Sequence, residues 1–401
     1  PPARKSASSS PRPTSARGPA SHPMTHTLPA ADLGPAIRPI GLPRQELEQA
    51  FAALGEKPFR ARQVMRWIYG RGVLDPAAMT DLSAGLRDTL SRRADFSLPV
   101  ADAVQESADG TTKWRLAAGA GQLVETVFIP EEGRGTLCVS SQVGCALDCA
   151  FCATGRQGFN RNLTAAEIVG QVVFANRELG TVAGRSRITN VVFMGMGEPL
   201  ANFRPVVQAC NVLIDDLGYQ LSRRRVTVST SGLVPQIRRL AQETNAALAV
   251  SLHAPDDALR DRLVPINRRH PIAELLEACW DYAAATNAVG ITFEYVMLAG
   301  VNDAESQARA LARLLANRPA KVNLIPFNPF AASGFRRSPP EAVARFRQVL
   351  LEAGVMTITR RTRGDDIDAA CGQLAGQVSN RVRSALGTKG RESREVPPWN
   401  A

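Results

Sequence analysis

The stretch Cys145-Ala-Leu-Asp-Cys149-Ala-Phe-Cys152 is the most informative part of this chain. It places three thiols with C-x3-C-x2-C spacing directly after a predicted strand. Three thiolates on a short loop can hold three irons of a four-iron cubane cluster and leave the fourth iron open to a small molecule. The alternative is a structural zinc site, which requires a fourth protein ligand and is usually built from C-x2-C pairs. The spacing therefore favours an iron–sulfur cluster.

The cysteine loop opens a region in which predicted strands alternate with helical segments. A capping-box pattern, Thr164 followed by Glu167, marks the start of one intervening helix. Alternation of this kind predicts an α/β fold with a parallel sheet. The expected strands lie at residues 136–140, 188–194, 225–230, 247–252, 291–298, 322–327 and 355–359.

Three segments precede this region. Residues 1–43 are rich in Pro, Ser, Ala and Arg and are predicted to be a disordered basic tail; Met24 could be the true start, and an organelle transit peptide is an alternative. Residues 44–97 have apolar positions at helical spacing and predict a small helical domain. Its mixed cations and aromatic side chains suit RNA, although a solvated basic face is an equal alternative. Residues 98–135 predict a β-hairpin connector, with strands at 112–116 and 123–129.

The composition narrows the class of protein. Lys and Arg total 48 against 37 Asp and Glu, and the net charge of +11 favours a polyanionic partner such as nucleic acid. No apolar run approaches the ~20 residues of a membrane-spanning helix, so no membrane partner is expected. The seven cysteines are odd in number and follow no recognisable secretory signal, which argues against a disulfide scaffold. We therefore expect a reducing, cytoplasmic location.

Small and polar residues follow several predicted strands at their carboxyl ends, where barrel enzymes build their sites. These segments begin with Gly195-Met196-Gly197-Glu198-Pro199 after the second strand. Each could be an ordinary strand-end cap, and a lone histidine is usually structural. Their recurrence at one end of the sheet favours a cofactor site. The candidate residues are Gly197, Glu198, Ser229, Ser251, Leu252, His253 and Asn328.

Longer segments of the chain resemble the RlmN family, the radical S-adenosylmethionine (SAM) enzymes that methylate adenine C2 in 23S rRNA and tRNA. The resemblance runs from about residue 44 to 376 and includes Ser251-Leu-His253-Ala, Pro265-Ile-Asn267 and the segment RGDDIDAACGQL at 363–374. It implies a partial (β/α)6 TIM-like barrel of the radical SAM type, with a small N-terminal helical domain and a β-hairpin connector. The core would span residues 136–376, and residues 377–401 would form a helix end and tail.

The resemblance also implies an activity and its cofactors. The chain would methylate C2 of a specific adenine in 23S rRNA and in certain tRNAs. One [4Fe-4S] cluster would be held by Cys145, Cys149 and Cys152, and two SAM molecules would be used per turnover. The other implied partner is an electron donor such as flavodoxin, and we expect a monomer.

Three residues outside the cysteine loop receive roles from the same resemblance. Cys371 would carry a methyl group and join covalently to the adenine, Cys138 would release the RNA by forming a disulfide with Cys371, and Glu125 would act as the base. From the residues alone, Glu125 could be an exposed carboxylate, Cys138 a core residue and Cys371 a helix-packing residue. Cys210 and Cys279 lie in helical patterns and are predicted to be core.

Two other functions stay open at this stage. A sister enzyme that methylates C8 of the same adenine shares the cysteine set and the mechanism. A non-enzymatic RNA-binding or assembly factor would use the cysteine loop for a structural metal. The first would produce 8-methyladenosine, and the second would be a colourless zinc protein that survives air.

Overall fold

The structure, a computed structural model, describes residues 37–182, 184–330 and 333–378. Residues 37–43 are the part of the predicted tail that it describes, and Met24 and most of the predicted C-terminal tail lie outside the described residues. None of the helices within these ranges combines the length and the hydropathy needed to cross a bilayer.

Residues 44–93 fold into short helices around an apolar core, as the helical spacing predicts. Pro58 begins the second helix, where its missing N–H has no intrahelical partner to lose. Ser83 caps the third helix by accepting from the Leu86 N–H at 3.3 Å. The elements are α1 (Arg44–Ala53), α2 (Pro58–Met65), a π-helical turn (Arg66–Gly70), a 3-10 turn (Pro76–Ala78) and α3 (Ala84–Arg93).

An antiparallel meander follows, formed by β1 (Ala101–Glu106), β2 (Thr112–Ala117) and β3 (Leu123–Glu131). The turn between β1 and β2 contains Gly110 at a φ of +83°, the conformation that the Asp-Gly pair predicts. β2 and β3 confirm the predicted pair of strands. The sequence pattern did not predict β1, because almost all of its residues are exposed and they do not alternate between buried and exposed positions.

The remaining elements alternate strands and helices, in agreement with the sequence. The capping box is present: the Glu167 N–H donates to Thr164 Oγ1 at 3.2 Å, and the Thr164 N–H donates to Glu167 Oε2 at 2.8 Å. In chain order the elements are β4 (Arg134–Cys138), β5 (Gln142–Gly144), α4 (Ala153–Gln157), β6 (Phe159–Asn162), α5 (Ala165–Leu179), β7 (Thr181–Val182), β8 (Arg185–Ser186), β9 (Asn190–Phe193), α6 (Phe203–Ile214), β10 (Val226–Thr230), α7 (Val234–Glu243), β11 (Ala247–Ser251), α8 (Asp257–Leu263), α9 (Ile272–Ala285), β12 (Ile291–Met297), α10 (Glu305–Leu315), β13 (Ala320–Pro326), α11 (Pro340–Glu352) and β14 (Met356–Thr359).

Within the described part of the chain, ten strands form one sheet in the order β1-β2-β3-β4-β9-β10-β11-β12-β13-β14. Neighbouring strands from β4 to β14 are parallel, and the meander extends the sheet beyond β4 in antiparallel fashion. The sheet does not close, because β1 and β14 are its two edges. This architecture confirms the predicted α/β fold and partial barrel.

The parallel strands have one face packed under helices and the other turned inward. In β10, Val226 and Val228 are buried, while the alternating Thr227 and Ser229 are half-buried. Successive side chains of a strand point to opposite faces, so the polar set of each strand lines the same inner space. The fold thereby brings polar strand residues such as Thr227, Glu294 and Asn323 to one cavity with Asn328 and the segment after β14.

Candidate active site

A cavity of about 670 Å³ extends along the inner face of the parallel strands. Its lining includes Cys138 from β4, Glu294 from β12 and Asn323 from β13. The segment after β14 contributes Arg360 and Cys371. The volume lies within the range of about 300–1,000 Å³ that is usual for small-molecule and cofactor sites.

The cysteine loop is anchored by main-chain contacts on both sides. The Cys145 N–H donates to Gly158 O at 2.9 Å, and the Ala150 N–H donates to Leu263 O at 3.0 Å. Gly144 has a φ of +76°, and a Cβ there would lie 1.9 Å from Gly158 O. Only glycine fits at residue 144, so the close pairing of β5 and β6 fixes where the loop begins.

The three loop thiols fit an iron–sulfur cluster. Cys149 is buried, Cys145 and Cys152 are half-buried, and burial together with the charges of the other two thiols raises the pKa of Cys145. The three sulfurs therefore share one enclosed space, in which their ionised forms need a cationic partner. In the described ranges, no three His, Cys, Asp or Glu side chains are arranged to hold a single metal ion. Thiolates that bind separate irons of a cluster need not meet at one point.

The segment after β9 is locked to the end of β10 through Glu198. Glu198 Oε1 accepts from the Leu200 N–H at 3.0 Å, and Oε2 accepts from the Ser231 N–H at 2.8 Å. Burial raises the pKa of this carboxyl. Gly197 has a φ of +98°, and a Cβ there would lie 2.4 Å from the Cβ of Gln142. The two predicted residues Gly197 and Glu198 thus lie beside β5, the strand that directly precedes the cysteine loop. Residue 197 has no room for a side chain.

The ends of β10 and β11 meet at Arg260, a buried residue that the sequence analysis missed. Its guanidinium donates to Ser231 O at 2.7 Å, Ser251 O at 3.0 Å and Leu252 O at 3.1 Å. It also donates to Asn267 Oδ1 at 2.8 Å, within the Pro265-Ile-Asn267 segment. The available signal was its position between Leu259 and Leu263 on the buried face of α8. Arg260 holds these strand ends in register around the site.

Replacing Arg260 with methionine is expected to reduce the free energy of unfolding by about 3 kcal/mol, because buried carbonyls lose a charged donor. Urea unfolding of the metal-free protein measures this change. The exposed Arg268, replaced in the same way, is the control and should change stability by less than about 0.5 kcal/mol. Equal stability of the two variants would contradict the role given to Arg260.

His253 supports the cysteine loop from the end of β11. Its Nδ1 accepts from the Val296 N–H at 3.0 Å, and its ring meets the Phe151 ring edge-on with centroids 4.5 Å apart. Burial, with a further contribution from Arg260, lowers the pKa of His253 to about 3, so the ring is neutral. The neighbouring Leu252 is buried, and Ser229 and Ser251 are half-buried near the carboxyl ends of their strands.

The segment that carries Cys371 is bound to the helix that follows the cysteine loop. The Ala153 N–H donates to Gly372 O at 2.8 Å, and Thr154 Oγ1 donates to Leu374 O at 2.6 Å. Asn328 Nδ2 donates to Cys371 O at 3.3 Å, so this predicted cofactor residue holds the Cys371 backbone. Cys371 is thereby fixed beside Cys152, the last thiol of the cysteine loop.

Glu125 is buried, and its interpretation as an exposed carboxylate is wrong. Its Oε1 lies 3.3 Å from Lys113 Nζ, and its Oε2 accepts from the Ala375 N–H at 2.9 Å. Lys113 also donates to Asp368 O at 3.2 Å. These contacts attach β2 and β3 to both ends of the segment around Cys371, which places Glu125 at the same site.

Cys138 and Cys371 face the same part of the cavity, beside Arg360. Burial and then the charge of Cys371 raise the pKa of Cys138 to about 12, whereas Arg360 acts to lower it. The charge of Cys371 is in turn the main cause that raises the pKa of Arg360. Cys138, Cys371 and the Arg360 guanidinium therefore share one part of the cavity, although they are distant in sequence.

All seven cysteines are free thiols. The disulfide between Cys138 and Cys371 that the resemblance implies is accordingly not formed in this structure. Cys210 and Cys279 are fully buried in α6 and α9, which confirms that they are core residues.

Two segments of the chain match known families. Residues 40–95 match the ribosomal RNA large subunit methyltransferase N-terminal domain, and residues 139–312 match the radical SAM superfamily. Among solved structures, a radical SAM methyltransferase from Sphaerobacter thermophilus is 46% identical with a TM-score of 0.78, and the match covers 85% of this chain and 99% of that chain.

More distant solved structures also match. A domain of pyruvate-formate lyase-activating enzyme from Bacteroides vulgatus is 18% identical, with a TM-score of 0.33 over 43% of this chain and 99% of that chain. HydG, a maturase of the [FeFe]-hydrogenase, is 13% identical, with a TM-score of 0.43 over 60% of this chain and 55% of that chain. These scores are too low to support a further conclusion.

Proposed function

The chain belongs to the RlmN family of radical SAM methyltransferases, and from this premise we propose that it methylates C2 of adenine in 23S rRNA and in certain tRNAs. The observation that supports this most directly is the second pair of thiols, Cys138 and Cys371, in one cavity beside the cysteine loop. C2 of adenine is an electrophilic aromatic carbon with no acidic proton, so displacement by a sulfonium methyl group does not reach it. A carbon radical can add there, and this requires cysteines beyond the cluster ligands.

The cofactors assigned to this reaction are one [4Fe-4S] cluster and two SAM molecules per turnover. Cys145, Cys149 and Cys152 would hold the cluster. When bound, the cluster and SAM supply a 5′-deoxyadenosyl radical. The residues proposed to surround SAM are Gly197, Glu198, Ser229, Ser251, Leu252, His253 and Asn328, and their positions at the carboxyl ends of β9, β10, β11 and β13 support this assignment.

Cys371 is the proposed methyl carrier. Its thiolate displaces the methyl group of one SAM molecule, so that a sulfur–carbon bond forms and S-adenosylhomocysteine leaves. Arg360 lines the same cavity and is the proposed cationic neighbour of Cys371. The S-methyl group of Cys371 would lose one hydrogen atom to the 5′-deoxyadenosyl radical, and the resulting carbon radical would add to adenine C2 and join the RNA to the protein through sulfur.

Cys138 and Glu125 are proposed to complete the reaction. Glu125 accepts the proton from C2 of the adenine, and its burial against the Cys371 segment supports this role. Attack by the Cys138 thiolate on the sulfur of Cys371 would form the Cys138–Cys371 disulfide and break the bond between that sulfur and the methyl-derived carbon. The carbon would then take up a proton to become the methyl group. The methylated RNA is thereby released.

The surface of the N-terminal helices supports RNA as the substrate. Arg60 lies over the ring of the exposed Phe59 at 4.7 Å, and the exposed Arg71 lies over the ring of Trp67, which is otherwise buried, at 4.0 Å. Cations paired with aromatic rings suit phosphates and unstacked bases. The net charge of +11 also favours binding to the RNA phosphates. We further propose a cytoplasmic monomer that receives electrons from a donor such as flavodoxin.

Nucleoside mass spectrometry tests the proposed reaction. Ribosomal RNA and tRNA are incubated with the anaerobically reconstituted protein, SAM and a reductant, and the digest is compared with retention-time standards. We expect 2-methyladenosine. The appearance of 8-methyladenosine instead would assign the chain to the sister activity, and an intact cluster with no methylated adenine would overturn the proposal.

Cys149→Ala tests the assignment of the cluster ligands. The wild-type protein is expected to be brown and to contain about four irons per chain, and the variant should lose most of this iron and the colour. Iron analysis and the visible spectrum measure both quantities. Cys210→Ala removes a buried thiol of α6 and should keep the iron. Retention of full iron by the Cys149 variant would contradict the ligand assignment.

A further inference from the structure

Glu294 is a buried carboxylate in the cavity to which neither the resemblance nor the mechanism above gives a role. It is 4% exposed and lies on β12, directly opposite Ser251 in the sheet register. Its Oε1 accepts from Asn323 Nδ2 at 2.9 Å. Its Oε2 has no hydrogen-bond partner among the described residues. A buried acceptor without a donor is rare in folded proteins, which points to a ligand that supplies the donor.

Arg360 lies between Glu294 and the two thiols. One guanidinium nitrogen, Nη1, is 3.9 Å from Glu294 Oε2 and 4.0 Å from the sulfur of Met194. Cys138 is hydrogen-bonded to the backbone of Met194, which brings its thiol to the same place. Arg360, a hydrogen-bond donor, is therefore adjacent to the thiols and to Glu294 Oε2, an acceptor that makes no hydrogen bond.

The Watson–Crick edge of adenine presents a matching order. C2 is followed by N1, which is an acceptor, and then by the exocyclic N6 amino group, which is a donor. With C2 at Cys371, N1 would face the donor Arg360 and the amino group would face the acceptor Glu294. Guanine presents a donor at N1 and an acceptor at O6, so both positions would be mismatched.

We propose that Arg360 and Glu294 recognise the Watson–Crick edge of the target adenine, with Arg360 donating to N1 and Glu294 Oε2 accepting from the N6 amino group. This assignment rests on the function proposed above. Enzymes that act on a flipped base commonly recognise this edge by hydrogen bonds. The cavity has space for the base, because β11 contributes only the small side chains of Ala247 and Ala249 to its lining. A donor at N1 also withdraws electron density from C2, the carbon that is attacked.

The test compares two stem-loop RNAs that contain adenosine or purine ribonucleoside at the target position. Purine ribonucleoside keeps N1 and the hydrogen on C2 but lacks the N6 amino group. For the reconstituted wild-type enzyme we expect kcat/KM to be about 10-fold to 100-fold higher with adenosine, which is the usual effect of one hydrogen bond to a charged group. Fluorescence anisotropy of the same RNAs, with the cluster present and SAM omitted, gives a second readout that does not depend on turnover.

Glu294→Met, which removes the acceptor at similar volume, should bring the two RNAs to within about threefold of each other in both assays. Thr292→Val alters the preceding cavity-lining residue of β12 and should keep the wild-type ratio. A wild-type enzyme that methylates both RNAs equally would overturn the inference without the need for any variant. A Glu294→Met enzyme that folds and still prefers the adenosine RNA to the wild-type extent would also overturn the inference. If the wild-type enzyme methylates neither RNA, the proposed function itself has failed.

Discussion

Replacing Cys371 with alanine is expected to reduce methylation of RNA by at least about a thousandfold, the scale on which loss of a covalent nucleophile acts. The reason is chemical, because no other thiol in the cavity can carry the methyl carbon in its place. Cys138 is buried at the end of β4, and its pKa is raised to about 12. Cys145, Cys149 and Cys152 are the proposed cluster ligands. The measurement is the rate of formation of methylated adenosine by mass spectrometry.

The iron content separates this effect from damage to the cofactor. Cys371 is bound to the rest of the site through backbone groups, including its own carbonyl and that of Gly372. Alanine leaves these contacts in place, so the variant should bind about four irons per chain, as the wild-type protein does. Cys279→Ala, in the core of α9, is the matched control and should remain active. Turnover by Cys371→Ala at more than about 1% of the wild-type rate would rule out the covalent route.

The sequence predicted the regular part of the fold to within about two residues, because the parallel strands are short apolar runs bounded by turn residues. The strand expected at 247–252, for example, is present as Ala247–Ser251. β1 lacked any such signal, since nearly every one of its side chains is exposed. The sheet-edge position of β1 explains this exposure.

The charged residues inside the site were harder to predict. Arg260 and Glu294 are polar residues within otherwise ordinary helix and strand patterns, and only tertiary neighbours make their burial possible. Arg260 is buried because strand-end carbonyls from β10 and β11 converge on it. No local sequence pattern indicates that these carbonyl groups lie close together in the fold. The resemblance to a family did indicate Cys371, although more than 200 residues separate it from the loop thiols.

Replacing Cys138 with alanine is expected to stop the reaction after the RNA has joined Cys371. The covalent protein–RNA adduct should therefore accumulate to about one per chain, while released methylated RNA falls by at least about a hundredfold. Labelled RNA that comigrates with the protein on a denaturing gel measures the adduct, and mass spectrometry of the digest locates it on Cys371. Cys210→Ala is the control and should release its product.

The charges around Cys138 favour its ionisation more after the adduct has formed than before. While Cys371 is a thiolate, its charge adds to burial in keeping the pKa of Cys138 high. Once Cys371 is bonded to carbon it no longer carries that charge, whereas Arg360 still acts to lower the pKa of Cys138. Loss of that charge acts to lower the pKa of Cys138 when the adduct forms, while burial, the largest cause, continues to raise it. Wild-type release by the alanine variant, with no adduct detected at any time, would show that another group performs this step.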